Sequence, residues 1–196
     1  MVLINDNSSA LQIGDPLPNF ALPATDGNII RPEEIKDSVL VIIFTCNHCP
    51  YAQAYEERIK ALAEEGFQII LINSNDATSY PEDSFENMKL KHEEWGYIFP
   101  YCFDEDQSVA KTYGALCTPH CFVGVYPERD TVLKGDVLSR RDQNRVLQYK
   151  GRIDDNWEDP ENVTERNLED AIKALKEGKK PTIQEANAIG CSIKWK

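Results

Sequence analysis

The stretch Val39-Leu40-Val41-Ile42-Ile43-Phe44-Thr45-Cys46-Asn47-His48-Cys49-Pro50-Tyr51 decides how the chain is read. Its first six residues are aliphatic or aromatic throughout, the mark of a strand buried on both faces. Beyond it, Tyr51, Tyr55, Ile59, Leu62 and Ala63 recur at helical spacing and Gly66 stops the pattern, which predicts a helix over 50–65. Proline is tolerated only in a helix's first turn, so Cys49 falls there beside Pro50. Cys46 and Cys49 therefore share a strand-to-helix junction. A helix N-terminus favours negative charge by about 0.3–1 kcal/mol, and a thiolate is such a charge. Low-pKa cysteines at helix starts carry out thiol–disulfide exchange.

Working outward, residues 1–14 read as a flexible leader. Residues 15–22 alternate toward a strand, and Thr25-Asp26-Gly27-Asn28 supplies a hairpin turn before Ile29-Ile30. Residues 67–72 form a second apolar strand. Ser79-Tyr80-Pro81-Glu82 has the spacing of a capping box for a helix running to about Trp95. A short strand at 100–103, a helix at 106–113 and a strand at 120–126 come next. The charged, turn-rich stretch 127–144 reads as a surface insertion, and 146–153 as a strand that turns at Lys150-Gly151. Thr164 is placed to cap a last helix with Leu168, Ala171, Ile172 and Leu175 on one face, ended by Gly178. Residues 181–196 form a tail expected to pack on the domain. Strands alternate with helices, so 15–180 is expected to be one α/β domain with a mixed sheet.

The 196 residues suffice for one domain with a real core. At 41% hydrophobic and 28% charged the composition is globular. A net charge of −12 argues against nucleic acid as a partner and against an anionic membrane surface. No apolar run approaches the roughly 20 residues that span a bilayer, and the first residues lack the basic and apolar regions of a signal peptide, so a cytoplasmic location is expected. Six cysteines are many for a reduced compartment. In a short secreted chain they would suggest a disulfide scaffold, a reading this length does not favour. Cys102, inside Phe99-Pro100-Tyr101-Cys102-Phe103, reads as a small buried apolar residue.

A Cys-x-x-Cys alone is a zinc half-site, a redox dithiol or chance; at a strand-to-helix turn in an α/β pattern the redox dithiol is favoured. Thr118-Pro119 directly precedes the strand His120-Cys121-Phe122-Val123-Gly124-Val125-Tyr126, a position compatible with a cis bond and a tight approach to a neighbouring loop.

These features together resemble the thioredoxin fold, whose Cys-x-x-Cys faces a Thr-cis-Pro loop. The hairpin segment Gly14-Asp15-x-Leu17-Pro18-x-Phe20-x-Leu22, the insert between the Cys-x-x-Cys helix and the proline strand, and Asp104-Glu105-x-x-x-x-Ala110-x-x-Tyr113-Gly114 resemble its redoxin branch. That branch holds the alkyl hydroperoxide reductase/thiol-specific antioxidant (AhpC/TSA-like) proteins. Cys46-Asn47-His48-Cys49-Pro50-Tyr51, Asn73-Ser74-Asn75-Asp76, Tyr80-Pro81-Glu82-Asp83-Ser84, Gly151-Arg152-Ile153-Asp154-Asp155-Asn156 and Gly190-Cys191-Ser192-Ile193-Lys194-Trp195 resemble a group of bacterial thioredoxin-family proteins. The resemblance implies a thioredoxin-like α/β fold: a central mixed β-sheet flanked by helices, an N-terminal β-hairpin extension and the insert. It implies that Cys46 attacks, Cys49 resolves, His48 tunes the pair, and Thr118-Pro119 holds the substrate chain by backbone hydrogen bonds. It implies no cofactor, with protein or small-molecule thiols or disulfides as partners and a dithiol protein as electron donor.

Departures matter as much. The buried acids of relatives fall on Leu40 and Ala52 here, leaving Asp76 as a weak candidate for proton transfer. A peroxidase needs Pro-x-x-x-Thr/Ser-x-x-Cys, but Ile43 stands three residues before Cys46 and Cys46 three before Cys49. The peroxide-positioning Arg is likewise missing from Cys117-Thr118-Pro119-His120. A thiol-dependent peroxidase is thus the alternative reading, and a Zn or Cu module the second, with Cys117, His120 or Cys121 joining the pair. Otherwise Cys117 and Cys121 are candidate auxiliary thiols. Cys191 reads as a core or tail cysteine, or as a third redox partner.

Overall fold

The computed structural model describes residues 2–4, 11–127 and 144–196; the expected insertion at 127–144 lies almost wholly outside them. In chain order the strands are β1 (Val2–Ile4), β2 (Leu22–Pro23), β3 (Ile29–Ile30), β4 (Val39–Thr45), β5 (Ile69–Asn73), β6 (Tyr101–Phe103), β7 (Cys117–Thr118), β8 (His120–Val125), β9 (Val146–Gly151) and β10 (Ile189–Ser192). The helices are α1 (Pro50–Ala54), α2 (Glu56–Glu64), α3 (Phe85–Trp95), α4 (Ser108–Tyr113) and α5 (Asn167–Lys176).

Five strands make the central sheet in the order β6-β5-β4-β8-β9. β4, β5 and β6 run parallel, whereas β8 and β9 are antiparallel to their neighbours. This is the mixed sheet of the thioredoxin-like α/β fold. All seven residues of β4 are buried, because a central strand flanked by helices has both faces covered. Alternation splits those residues between two cores. Val39, Val41 and Ile43 pack with α2 and α5 through Ile59, Leu62, Leu168 and Ile172. Leu40, Ile42 and Phe44 pack on the other face with Ala110 and Tyr113 of α4 and with Leu17, Phe20 and Leu22 of the hairpin region.

Several local expectations are corrected. The helix over 50–65 is two helices, interrupted at Tyr55, whose N–H bonds to the Ala52 carbonyl three residues back. The Tyr55 hydroxyl there donates to the Asp154 carboxylate at 2.9 Å. The helix before Trp95 starts at Phe85, capped by Ser84, which accepts from the Asn87 N–H; the supposed capping box at 79–82 instead leads into a 3-10 turn, Pro81–Asp83. Thr164 caps nothing, because its N–H and hydroxyl both bond to Asp155, and α5 begins at Asn167. The alternation at 15–22 yields strand only at Leu22–Pro23.

The largest correction concerns the two ends of the chain. Val2–Ile4, within the supposed leader, pairs antiparallel with β10, and β10 pairs antiparallel with β7. The resulting three-stranded sheet draws the C-terminal strand onto the strand that carries Thr118.

Candidate dithiol site

Cys46 directly follows β4, where the parallel ladder with β5 has ended at Thr45 opposite Asn73. Cys49 is the residue before α1, with Pro50 opening the helix. The loop between them is latched by Asn47. Its N–H donates to Asp83 Oδ1 at 2.7 Å and its side-chain amide donates to the Glu82 carbonyl at 2.8 Å. Its carbonyl accepts from Gln53 at 2.7 Å, and its Oδ1 accepts from the Tyr101 hydroxyl at 2.9 Å. Such saturation holds a turn in one conformation.

Opposite this loop the Thr118–Pro119 peptide is cis. Cys46 Sγ lies 3.4 Å from the Thr118 hydroxyl, and Cys49 Sγ lies 3.2 Å from the Thr118 carbonyl oxygen. Cys46, Cys49 and Ala52 form a small buried cluster, with Tyr51 and Cys191 packed against it. All six cysteines are thiols in this structure.

The two sulfurs share a proton, so they ionise as a pair, one step far below and one far above the ordinary thiol range. Cys49 is pushed down to about 4 by the Cys46 thiol donating to it; the Thr118 side chain, the Ala52 backbone N–H and Cys191 also favour its thiolate, against the cost of burial. Cys46 is pushed up by that same bond, then by burial and the negative charge of Asp83. The Thr118 carbonyl only accepts hydrogen bonds, so it favours the other placement, with the proton on Cys49 and the charge on Cys46. A short proton shift along the sulfur–sulfur contact interconverts the two.

His48 is held by Asp83. Its Nδ1 is 2.6 Å from Asp83 Oδ2, and its ring stacks on Tyr80 with centroids 5.1 Å apart. An Nδ1–H donated to a carboxylate leaves Nε2 as the acceptor. Asp83, fully buried, also accepts from Asn75 Nδ2 at 2.7 Å. Asp83 is the acid beside the dithiol. Asp76, the acid expected from sequence, accepts from Thr78 and Ser79 in its own turn.

The auxiliary residues separate. Cys117 is buried below the site, its Sγ 3.8 Å from the Pro119 carbonyl, and burial pushes its thiol up to about 12. Cys121 is remote from the pair, since it sits in the first core with Tyr149 and Val123. His120, its neighbour in sequence, lies on the opposite face of β8 with its ring 4.5 Å from Phe122, as a period of two requires. Burial pushes His120 down to about 3, and neither ring nitrogen has a hydrogen-bond partner. Cys117, His120 and Cys121 therefore do not join the pair as ligands. Among the described residues, the metal-capable side chains that come together are Cys46, His48 and Asp83, with ligand atoms within 4.8 Å of one another.

Sequence reasoning missed Asn47 as a latch and Asp83 as the acid, and it left Cys191 open between a core or tail cysteine and a third redox partner. It also expected Thr118-Pro119 to offer its backbone to a substrate chain. One edge of β7 is taken by β10, with Cys191 opposite Thr118.

Among the described residues, no helix is long and apolar enough to cross a membrane. Among curated proteins, none matches the chain. Among the solved structures that match are two that do so over nearly the full length. One is an uncharacterized conserved protein from Geobacillus kaustophilus, 37% identical, with a TM-score of 0.83 over 100% of this chain and 97% of that one. The other is a hypothetical protein from Sinorhizobium meliloti 1021, 34% identical, with a TM-score of 0.80 over 96% of this chain and 97% of that one. The model of the AhpC/TSA family matches residues 13–136, a span that takes in the hairpin, the dithiol turn and the cis-proline strand. The chain belongs to the AhpC/TSA family.

Proposed function

We propose that the chain is a thiol–disulfide oxidoreductase in which Cys46 and Cys49 cycle between dithiol and disulfide. The observation that carries this reading is the contact of the two sulfurs with each other and with Thr118. A pair with one low ionisation supplies a thiolate at neutral pH while keeping a second thiol in reach.

The Cys46 thiolate attacks one sulfur of a substrate disulfide, and the other substrate sulfur leaves as a thiolate. Cys49 then gives up its proton and attacks Cys46 Sγ. This releases the second substrate thiolate and leaves the Cys46–Cys49 disulfide, two electrons having passed to the substrate. A dithiol protein restores the reduced pair. The Thr118 hydroxyl, 3.4 Å from Cys46, is placed to donate to that thiolate. His48, fixed by Asp83, is placed to accept a proton at the rim.

With β10 on one edge of β7, a substrate chain does not pair along that edge. It reaches Cys46 past His48, Tyr80 and the Tyr51–Trp157 ring pair, whose centroids are 4.3 Å apart. The substrate class is a protein or small-molecule disulfide that presents its sulfur at an aromatic rim.

Turnover of a protein disulfide with a dithiol reductant tests this reading. Cys46→Ser is expected to cut the rate by about a hundredfold or more, since the thiolate is the nucleophile; an unchanged rate overturns the reading. Hydroperoxide consumed much faster than by free cysteine would favour the peroxidase alternative, for which the usual positioning residues are lacking.

A further inference from the structure

The motif Gly190-Cys191-Ser192-Ile193-Lys194-Trp195 plays no part in the exchange described above, yet β10 seats it on the site. Gly190 lies so close to the proline loop that a Cβ there would stand 2.2 Å from the Thr118 carbonyl oxygen and 3.2 Å from the Pro119 nitrogen. Any side chain would lift the strand. Glycine lets β10 close onto β7, and the next residue, Cys191, then comes opposite Thr118. Its sulfur is in hydrogen-bond contact with Cys49 and packs on the Cys46–Cys49–Ala52 cluster. Cys49 touches both Cys46 and Cys191. Cys46 and Cys49 are buried, whereas Cys191 is half-exposed.

We propose that Cys191 is the third thiol of this site, attacking Cys49 in the Cys46–Cys49 disulfide and carrying the disulfide outward as Cys49–Cys191. The inference rests on the dithiol reading. The step is balanced: the Cys191 thiolate forms the new sulfur–sulfur bond, the Cys46–Cys49 bond breaks, and Cys46 leaves as the thiolate. No net oxidation occurs. Attack on a disulfide proceeds through the sulfur nearest the incoming thiolate, and that sulfur is Cys49. The consequence is an oxidised protein whose attacking cysteine is free again and whose disulfide is open to a reductant at the surface.

The surroundings time the step. In the reduced protein the Cys191 thiol is held up at about 11, by burial first, then by its bond and its charge repulsion with Cys49. Once Cys49 is in a disulfide it carries no charge, so both Cys49 contributions vanish. The favourable influence of the Lys194 ammonium on the thiolate remains. Cys191 thus becomes a better nucleophile when there is a disulfide for it to attack.

Disulfide mapping tests this. The wild type, Cys46→Ser and Cys191→Ser are oxidised with a small diazene oxidant, quenched by alkylation, digested with trypsin and analysed by mass spectrometry. Cys46 and Cys49 share the peptide 37–58, which has no Lys or Arg before Arg58, so a Cys49–Cys191 bond joins that peptide to the one that carries Cys191 and ends at Lys194. The joined pair is expected in the wild type, as the main disulfide in Cys46→Ser, and lost in Cys191→Ser. If Cys191 remains alkylated in both wild type and Cys46→Ser while the wild type forms its Cys46–Cys49 bond, the third-thiol role is overturned and the dithiol reading stands. If the wild type forms no Cys46–Cys49 bond, the dithiol reading fails and takes the relay with it.

Discussion

Cys49 and Cys102 are equally shut away from water, each at 0% exposure, yet their thiols are pushed in opposite directions. Cys102 sits in β6 among Ile72, Ala24 and their neighbours in the second core, and burial drives it up to about 12. Cys49 sits where strands have ended and is pushed down to about 4 by donors converging on its sulfur, the Cys46 thiol first. Burial penalises a charge; hydrogen bonds to the charged form favour it. At the dithiol the second effect wins, and it wins because chain ends and loops carry spare donors that a strand interior has already used in its ladder.

The widest gap between the two regions should appear in alkylation. At neutral pH iodoacetamide is expected to label the peptide 37–58 at least about a hundredfold faster than Cys102 or Cys121, because only the thiolate reacts. Unfolding in denaturant should erase the gap. Equal rates in the native protein would break the comparison at its base.

How much of this was legible in the sequence follows from the distances involved. The dithiol turn is local: an apolar run, a Cys-x-x-Cys and a proline within thirteen residues mark the junction without reference to the rest of the chain. The proline loop was visible too, as a Pro at the mouth of a strand. Asp83 was not, because the pattern at 79–82 mimics a helix start. Pro81 opens a single 3-10 turn there, and Ser84 is the true cap. Its partner His48 is 35 positions away, a separation that residue spacing does not report. Cys191 stayed open between a tail cysteine and a third redox partner for a similar reason, since it comes to the site through the pairing of β10 with β7. Cys121 was drawn to the site by adjacency to His120 and Pro119, but the period of two turns it into the opposite core. Sequence shows what a residue type can do; long-range strand pairing decides which copies do it.

Asp83 sharpens the contrast further. Its carboxylate accepts from the Asn47 N–H, His48 Nδ1 and Asn75 Nδ2, all inside the protein. Asp83→Asn sets an amide donor against at least one of these donors, and an unmatched buried polar group costs about 1–3 kcal/mol. Urea unfolding should show a loss near 2–3 kcal/mol, against about 1 kcal/mol for Cys102→Ala, which deletes one buried sulfur. The same substitution removes the Asp83 charge that pushes Cys46 up, so the upper ionisation of the dithiol should move to lower pH. An Asp83→Asn protein as stable as Cys102→Ala, with an unchanged thiol titration, would mean that Asp83 is a bystander.

The smallest effect, per pH unit, is a difference in how stability follows pH. The Cys49 thiol ionises near 4 in the folded protein, against 9.0 as its ordinary value. Between those limits the unfolded chain holds both dithiol protons and the folded pair holds one, so stability rises with pH. The contribution is fully present above about 9 and is lost as pH falls toward 4. One proton sets its ceiling at about 1.4 kcal/mol per pH unit. Cys102 and Cys121 behave in the opposite sense. Both are pushed up, so their folded and unfolded forms are protonated alike below about 9, and they subtract stability only above it. Subtracting the unfolding free energy of reduced Cys49→Ser from that of the reduced wild type, pH by pH, removes the carboxylates and leaves the dithiol. A difference that climbs from about pH 5 to 8 ties the low ionisation to the folded site. Parallel curves would return Cys49 to the class of Cys102, a buried thiol with no charge to hold.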